Sequence, residues 1–157
     1  MNRETRSATL LATLGIVILV AACGPATTPT PTPAPAPVDT TIQGIVWQWV
    51  SVTNQSTGEE TSVRSPEKYT ITFNADGTLN GQADCTTFNG TYSQKGGLTI
   101  LGASKTGLCG AGSLDEQYLA LLNSVAAGGP DGAGGLALET AGGEQRMLFK
   151  NGGAASK

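Results

Sequence analysis

The strongest constraint on the fold is a five-residue run, Tyr69-Thr70-Ile71-Thr72-Phe73, in which large apolar side chains alternate with threonine. Successive side chains of a strand point to opposite faces, so Tyr69, Ile71 and Phe73 share one face. Asn74-Ala75-Asp76-Gly77 follows, and Asp-Gly supplies the positive φ of a tight turn. Thr78 to Ala83 returns as a second strand, which completes a hairpin. Gly44 to Val52 (GIVWQWVSV) is rich in β-branched and aromatic residues and reads as an earlier strand. Trp47 and Trp49 lie on one side of it. They are most simply core aromatics; facing outward, they would form a platform for a sugar or peptide.

The same pattern continues along the chain. Asn89-Gly90 and Lys95-Gly96-Gly97 bracket Thr91-Tyr92-Ser93, and Leu98 to Leu101 follows. Leu136 to Thr140 and Gln145 to Lys150 predict a last hairpin around Ala141-Gly142-Gly143-Glu144. Asn54 to Ser65 reads as a polar loop, and the polar tail from Asn151 is expected to fray. Short strands with closely spaced turns predict a mainly β fold, a small curved antiparallel sheet or barrel.

One helix interrupts the strands. Ser113-Leu114-Asp115-Glu116 is a capping-box pattern, with Ser113 at the N-cap and Glu116 at N3. Leu114, Tyr118, Leu121, Leu122 and Val125 recur at helical spacing and form one apolar stripe. Gly128-Gly129-Pro130 is the expected stop. The stripe should pack on one face of the sheet or into its mouth.

The first forty residues are of a different kind. Arg3 and Arg6 precede an uncharged apolar stretch from Leu10 to Ala22, which is 13 residues long. A membrane-spanning helix needs about 20. The layout is that of a secretory signal peptide over residues 1–22. Val20-Ala21-Ala22-Cys23 resembles the bacterial lipobox. That resemblance implies cleavage before Cys23 and a diacylglycerol on its sulfur, so that the chain hangs from a membrane by lipid. Residues 24–39 hold six of the eight prolines, interleaved with Thr and Ala. Such a stretch cannot bury apolar surface and predicts an extended spacer reaching at most roughly 50 Å. A single domain over residues 40–151 and a short tail, 152–157, complete the expected organisation.

Charge and composition narrow the function. The net charge is −3, with nine Lys and Arg against twelve Asp and Glu and no basic cluster. Nucleic-acid binding requires clustered cations and is set aside. There is no histidine. This removes Ser-His-Asp and Cys-His nucleophilic sites and the usual neutral-pH acid and base. Three cysteines are an odd number for an exported chain. With Cys23 committed to lipid, Cys85 and Cys109 are left to pair. Outside the cytoplasm a disulfide persists, and this one would close a loop of about 25 residues, worth roughly 3 kcal/mol on the chain-entropy account. Two free thiols or two thiolate metal ligands are the alternatives; two Cys without His make a poor metal site.

The motifs converge on a family. They are Trp47-Gln48-Trp49, the Tyr69–Phe73 strand, Asp76-Gly77-Thr78-Leu79-Asn80-Gly81, Ala83-Asp84-Cys85-Thr86-Thr87-Phe88-Asn89-Gly90-Thr91-Tyr92, and the run Thr106, Cys109, Glu116-Gln117-Tyr118-Leu119, Leu122. In this order they resemble the META domain, also called HslJ-like, of bacterial envelope proteins and lipoproteins. The family usually shows Gly-Cys-Asn where this chain has Asp84-Cys85-Thr86, so hydrogen bonding drawn from that asparagine is not carried over. The resemblance implies a barrel-like or strongly curved sheet with one helix, and a role in envelope stress or maintenance. It brings no catalytic residues.

Other chemistry is poorly supported by the residues. Asn74 to Asn80 loosely mimics calcium-loop spacing but lacks the later bidentate Glu. Asp84 beside Cys85 would raise a thiol pKa and suppress reactivity. Glu59 and Glu60 are adjacent and point apart on an extended chain, unlike a glycosidase pair. The expectation is a non-enzymatic envelope protein without cofactor or metal. Its partners would be the membrane, through Cys23, and an envelope protein or glycan. A structural lipoprotein without a specific ligand is the runner-up, and a carboxylate-based hydrolase the remote third reading.

Overall fold

The computed structural model describes residues 41–156, all within one compact unit, Ala36–Lys157. The expected signal peptide over residues 1–22, Cys23 and the proline-rich stretch 24–39 lie outside the described residues. Nine strands and one α-helix follow in the order β1 (Ile45–Asn54), β2 (Glu60–Ser62), β3 (Tyr69–Phe73), β4 (Thr78–Ala83), β5 (Thr86–Ser93), β6 (Thr99–Lys105), α1 (Asp115–Asn123), β7 (Val125–Pro130), β8 (Leu136–Thr140) and β9 (Gln145–Ala154). Their spatial order is β6-β5-β4-β3-β1-β9-β8-β7, with β2 paired to β1 off this path. Every strand pairing is antiparallel.

This is the expected mainly β architecture, and it nearly closes into a barrel. The two outermost strands, β6 and β7, approach each other, and in the turn just ahead of β6 a Cβ on Gly97 would stand 2.8 Å from the Ala126 carbonyl oxygen. No side chain fits there. Higher up the seam, Asn123 at the end of α1 stands in for a strand. Its Oδ1 accepts from the Ala103 N–H at 3.0 Å, and its Nδ2 donates to the Ala103 carbonyl at 2.8 Å. An open edge would leave those groups unpaired.

The tryptophans face inward, with Trp47 2% and Trp49 0% exposed. Their indole N–H groups donate to the Ile42 and Ser51 carbonyls, each at 2.9 Å. α1 enters the mouth of the barrel and drives Tyr118 into its centre. Trp49 stacks on Tyr118 with centroids 5.1 Å apart, while Tyr69 and Phe88 meet it edge-on at 5.7 and 5.9 Å. Offset stacks and edge contacts are the favoured aromatic geometries. Tyr118 and Leu122 are fully buried, and Leu114 and Leu121 pack beside them.

Several local expectations are corrected. Val125 belongs to β7 rather than to the helical stripe, because α1 ends at Asn123. Gly128, Gly129 and Pro130 form strand rather than a helix stop. A Cβ at Gly128 would strike the Leu138 side chain at 2.7 Å, so glycine is what lets β7 lie flat on β8. Pro130 ends an outermost strand, where a missing N–H is tolerated. The reciprocal capping box does not form. Leu114 occupies the N-cap, and Ser113 Oγ accepts the Asp115 N–H at 3.2 Å. Asp115 turns instead to Lys105, and the two form a buried ion pair across the base of the loop between β6 and α1.

Asn89-Gly90 lies inside β5 rather than in a turn. The β5–β6 register shifts between Asn89 and Thr91, and a Cβ on Gly90 would come within 2.9 Å of the Leu101 carbonyl. A bulge therefore takes the place of the expected turn. The polar stretch from Asn54 to Ser65 contains β2, folded back by an Asn54 side chain that accepts from the Ser56 and Thr57 N–H groups at 2.9 and 3.1 Å. The region after Asn151 stays in the sheet as far as Ala154, which pairs with Ile45.

Candidate functional site

Antiparallel strands sort their connections to two ends of the barrel. The chain comes in at Ile42 on the proximal end, beside the β3–β4, β5–β6 and β7–β8 turns. There Gln43 Nε2 donates to the Tyr92 hydroxyl at 2.7 Å, and that hydroxyl donates to the Asn74 carbonyl at 2.7 Å. The distal end gathers residues 55–59, the segment 63–68, the turn at Asp84-Cys85, the β6–α1 loop and α1 itself, and residues 141–144. Four grooves open on this distal rim.

The largest of the four holds about 460 Å³ and is lined by Ser62, Arg64, Lys68, Tyr69, Asp84 and Leu114, among others. Its far wall is built by covalent and polar ties. Cys85 and Cys109 form a disulfide with Cα atoms 5.7 Å apart, which fastens the β6–α1 loop to the β4–β5 turn. Asp84 sits in that turn with a left-handed φ of 58°, a conformation Asp tolerates better than most residues. Its N–H donates to the Lys68 carbonyl at 2.8 Å, and its carboxylate pairs with Lys68 Nζ at 3.2 Å. A hydrogen bond from the Ser113 hydroxyl, then the one from Lys68, holds the Asp84 carboxyl below its ordinary value. The Tyr69 hydroxyl forms the floor and accepts the Leu114 N–H at 2.9 Å. Arg64 makes no ion pair among the described residues.

A second groove of about 390 Å³ runs between α1 and the β8–β9 connection, past Gln117, Leu121, Thr140 and Glu144. Its lining mixes these polar side chains with Ala120, Leu121 and Ala141. Among the described residues no three His, Cys, Asp or Glu side chains converge as a metal site. Glu59 and Glu60 are both exposed, on the β1–β2 hairpin. Asp76 serves its turn, accepting from the Thr78 N–H and hydroxyl at 2.9 and 2.6 Å; these bonds lower its pKa.

The residues singled out from sequence thus have distinct fates. Cys85 and Cys109 are brought together at the rim, and Cys23 is outside the described residues. The rim cations Arg64 and Lys68 carried no sequence signal, because they sit in a polar stretch without periodicity. Only the fold sets them beside Asp84.

The family model of the META domain matches residues 40–153. The chain belongs to the META domain family. Two solved structures share the fold of this META domain. One is the NMR structure of a protein from Burkholderia xenovorans, 18% identical, with a TM-score of 0.58, covering 80% of this chain and 97% of its own. The other is the crystal structure of a DUF4847 family protein from Bacteroides vulgatus ATCC 8482, 20% identical, with a TM-score of 0.52, covering 69% of this chain and 93% of its own. At such identity the likeness is one of fold. A search of curated proteins found no match.

Proposed function

We propose that this META protein is a lipid-anchored component of the cell envelope that binds or scaffolds a partner there without catalysis. In this reading Cys23 carries the lipid, residues 24–39 space the domain from the membrane, and the domain faces away from the cytoplasm. The lipobox-like Val20–Cys23 run supports the anchor, since stable residence needs more than one acyl chain. Placement supports the binding role: the described chain begins at Thr41 and Ile42, at the end of the domain opposite the four grooves. A tether there leaves the distal rim free to meet a protein or glycan.

Two measurements test this. Intact mass of the chain from its native envelope should show an acylated Cys23 as the first residue, and Cys23→Ser should leave the membrane fraction. Affinity capture with the full chain from solubilised envelope should enrich one protein or glycan. An unacylated position 23 overturns the anchor. Failure to enrich any partner favours the second reading, a structural or stress-protective lipoprotein, which the side-chain-filled barrel also supports.

A further inference from the structure

Resting on the binding reading above, we propose that the outer edge of β2 docks an extended peptide that carries an acidic side chain level with Arg64. β2 has one strand partner, β1, through Ser51↔Ser62, Val52↔Thr61 and Thr53↔Glu60. Two flanking bonds fix which groups face β1: Asn54 N–H to the Glu59 carbonyl at 2.8 Å, and Val63 N–H to the Val50 carbonyl at 2.9 Å. Antiparallel pairing alternates, so Glu60 and Ser62 turn their N–H and C=O groups away from β1. β3 does not cover them, because it pairs with β1 further back, at Val46 to Gln48.

That free edge borders the 460 Å³ groove, across from Asp84 and Leu114. All three β2 residues are exposed. Natural edges are usually blunted by shortness, charge, proline, a bulge or a cover; β2 is only three residues long and carries Glu60, but it holds no proline, lysine or bulge. A peptide strand laid there gains main-chain hydrogen bonds, with alternate side chains read by the groove. Charge then selects among peptides. Lys68 is engaged by Asp84, whereas Arg64 at the end of the edge has no carboxylate partner among the described residues. A guanidinium and a carboxylate pair through two parallel charge-assisted bonds, stronger than neutral ones.

The test uses the full chain, isotope-labelled in detergent micelles, and three pooled libraries of capped peptides about six residues long, roughly the length of one strand. Each pool is randomised at alternate positions and carries Glu, Gln or Lys at one fixed site. The Glu pool should shift the Glu60, Ser62 and Arg64 amide signals and slow exchange at the Ser62 N–H. It should bind about tenfold tighter than the Lys pool. Ser62→Pro removes an outward donor and should abolish binding, while Ser62→Ala should bind normally. Arg64→Gln should erase the preference for Glu. Should Ser62→Pro lose its folded spectrum, the Arg64→Gln comparison decides. Shifts confined to other surfaces, or no shift up to millimolar peptide, overturn the docking edge. An envelope partner captured equally well by wild type, S62P and R64Q would leave the binding reading standing and remove this edge from it.

Discussion

Tyr118 carries the one buried side-chain polar atom without a hydrogen-bond partner among the described residues. Its ring fills the centre of the barrel, and burial pushes its hydroxyl well above the ordinary phenol pKa. A buried, unbonded hydroxyl costs about 1–3 kcal/mol. Tyr118→Phe keeps the ring contacts and removes the orphan, so it should raise stability by about 1 kcal/mol in urea denaturation; a loss would mean that the hydroxyl has found a partner. Asp84 makes the opposite case. Its folded pKa is depressed by Ser113 and Lys68. The stabilisation that follows is complete above the unfolded value of about 3.9 and disappears as pH falls through the lower, folded value. Asp84→Asn should therefore flatten the acid limb of the stability profile below about pH 4, with little change in its slope near neutrality.

At the scale of elements, the seam between β6 and β7 is the weak point of the barrel. β6 lacks a ladder partner on its outer edge, and Asn123 supplies two hydrogen bonds there from a helix. Asn123→Ala leaves the Ala103 N–H and carbonyl without these partners. The expected cost is about 1–3 kcal/mol, with faster amide exchange at Ala103. Unchanged exchange at Ala103 would show that the helix end does not close the seam. The same element explains why the apolar stripe misled at its end. Val125 keeps helical spacing, but the chain leaves the helix once Asn123 is caught by β6. The expected helix stop at Gly128 then yields to flat packing on β8, since tertiary contact overrides local preference.

For the molecule as a whole, the disulfide and the Lys105–Asp115 pair act on one loop, between β6 and α1. Neither the disulfide nor the side-chain ion pair supplies a bond in a strand ladder. Reduction of Cys85–Cys109 should lower stability by roughly 3 kcal/mol without dismantling the barrel. Amide exchange should quicken in residues 106–114 and at the groove wall while β1, β3 and β9 stay protected. Collapse of the whole spectrum on reduction would mean that the loop holds the barrel rather than decorating it.

Much of this was legible in the chain itself. The alternation of Tyr69, Ile71 and Phe73, the Asp76-Gly77 turn and the helical spacing of Leu114, Tyr118 and Leu122 are local patterns, and local sterics and burial enforce them. They determined a β-rich domain with one amphipathic helix packed on its sheet; that the helix enters the mouth and not a face was decided by the fold. What the tertiary structure alone decided is where loops with no periodicity meet. The bulge at Gly90 brings β5 onto Leu101 of β6, and at the distal rim the β2 edge, Arg64 and the Lys68–Asp84 pair come together from separate loops. No short-range rule links them, because their neighbours are set by the closure of the sheet and not by the residues beside them in the chain.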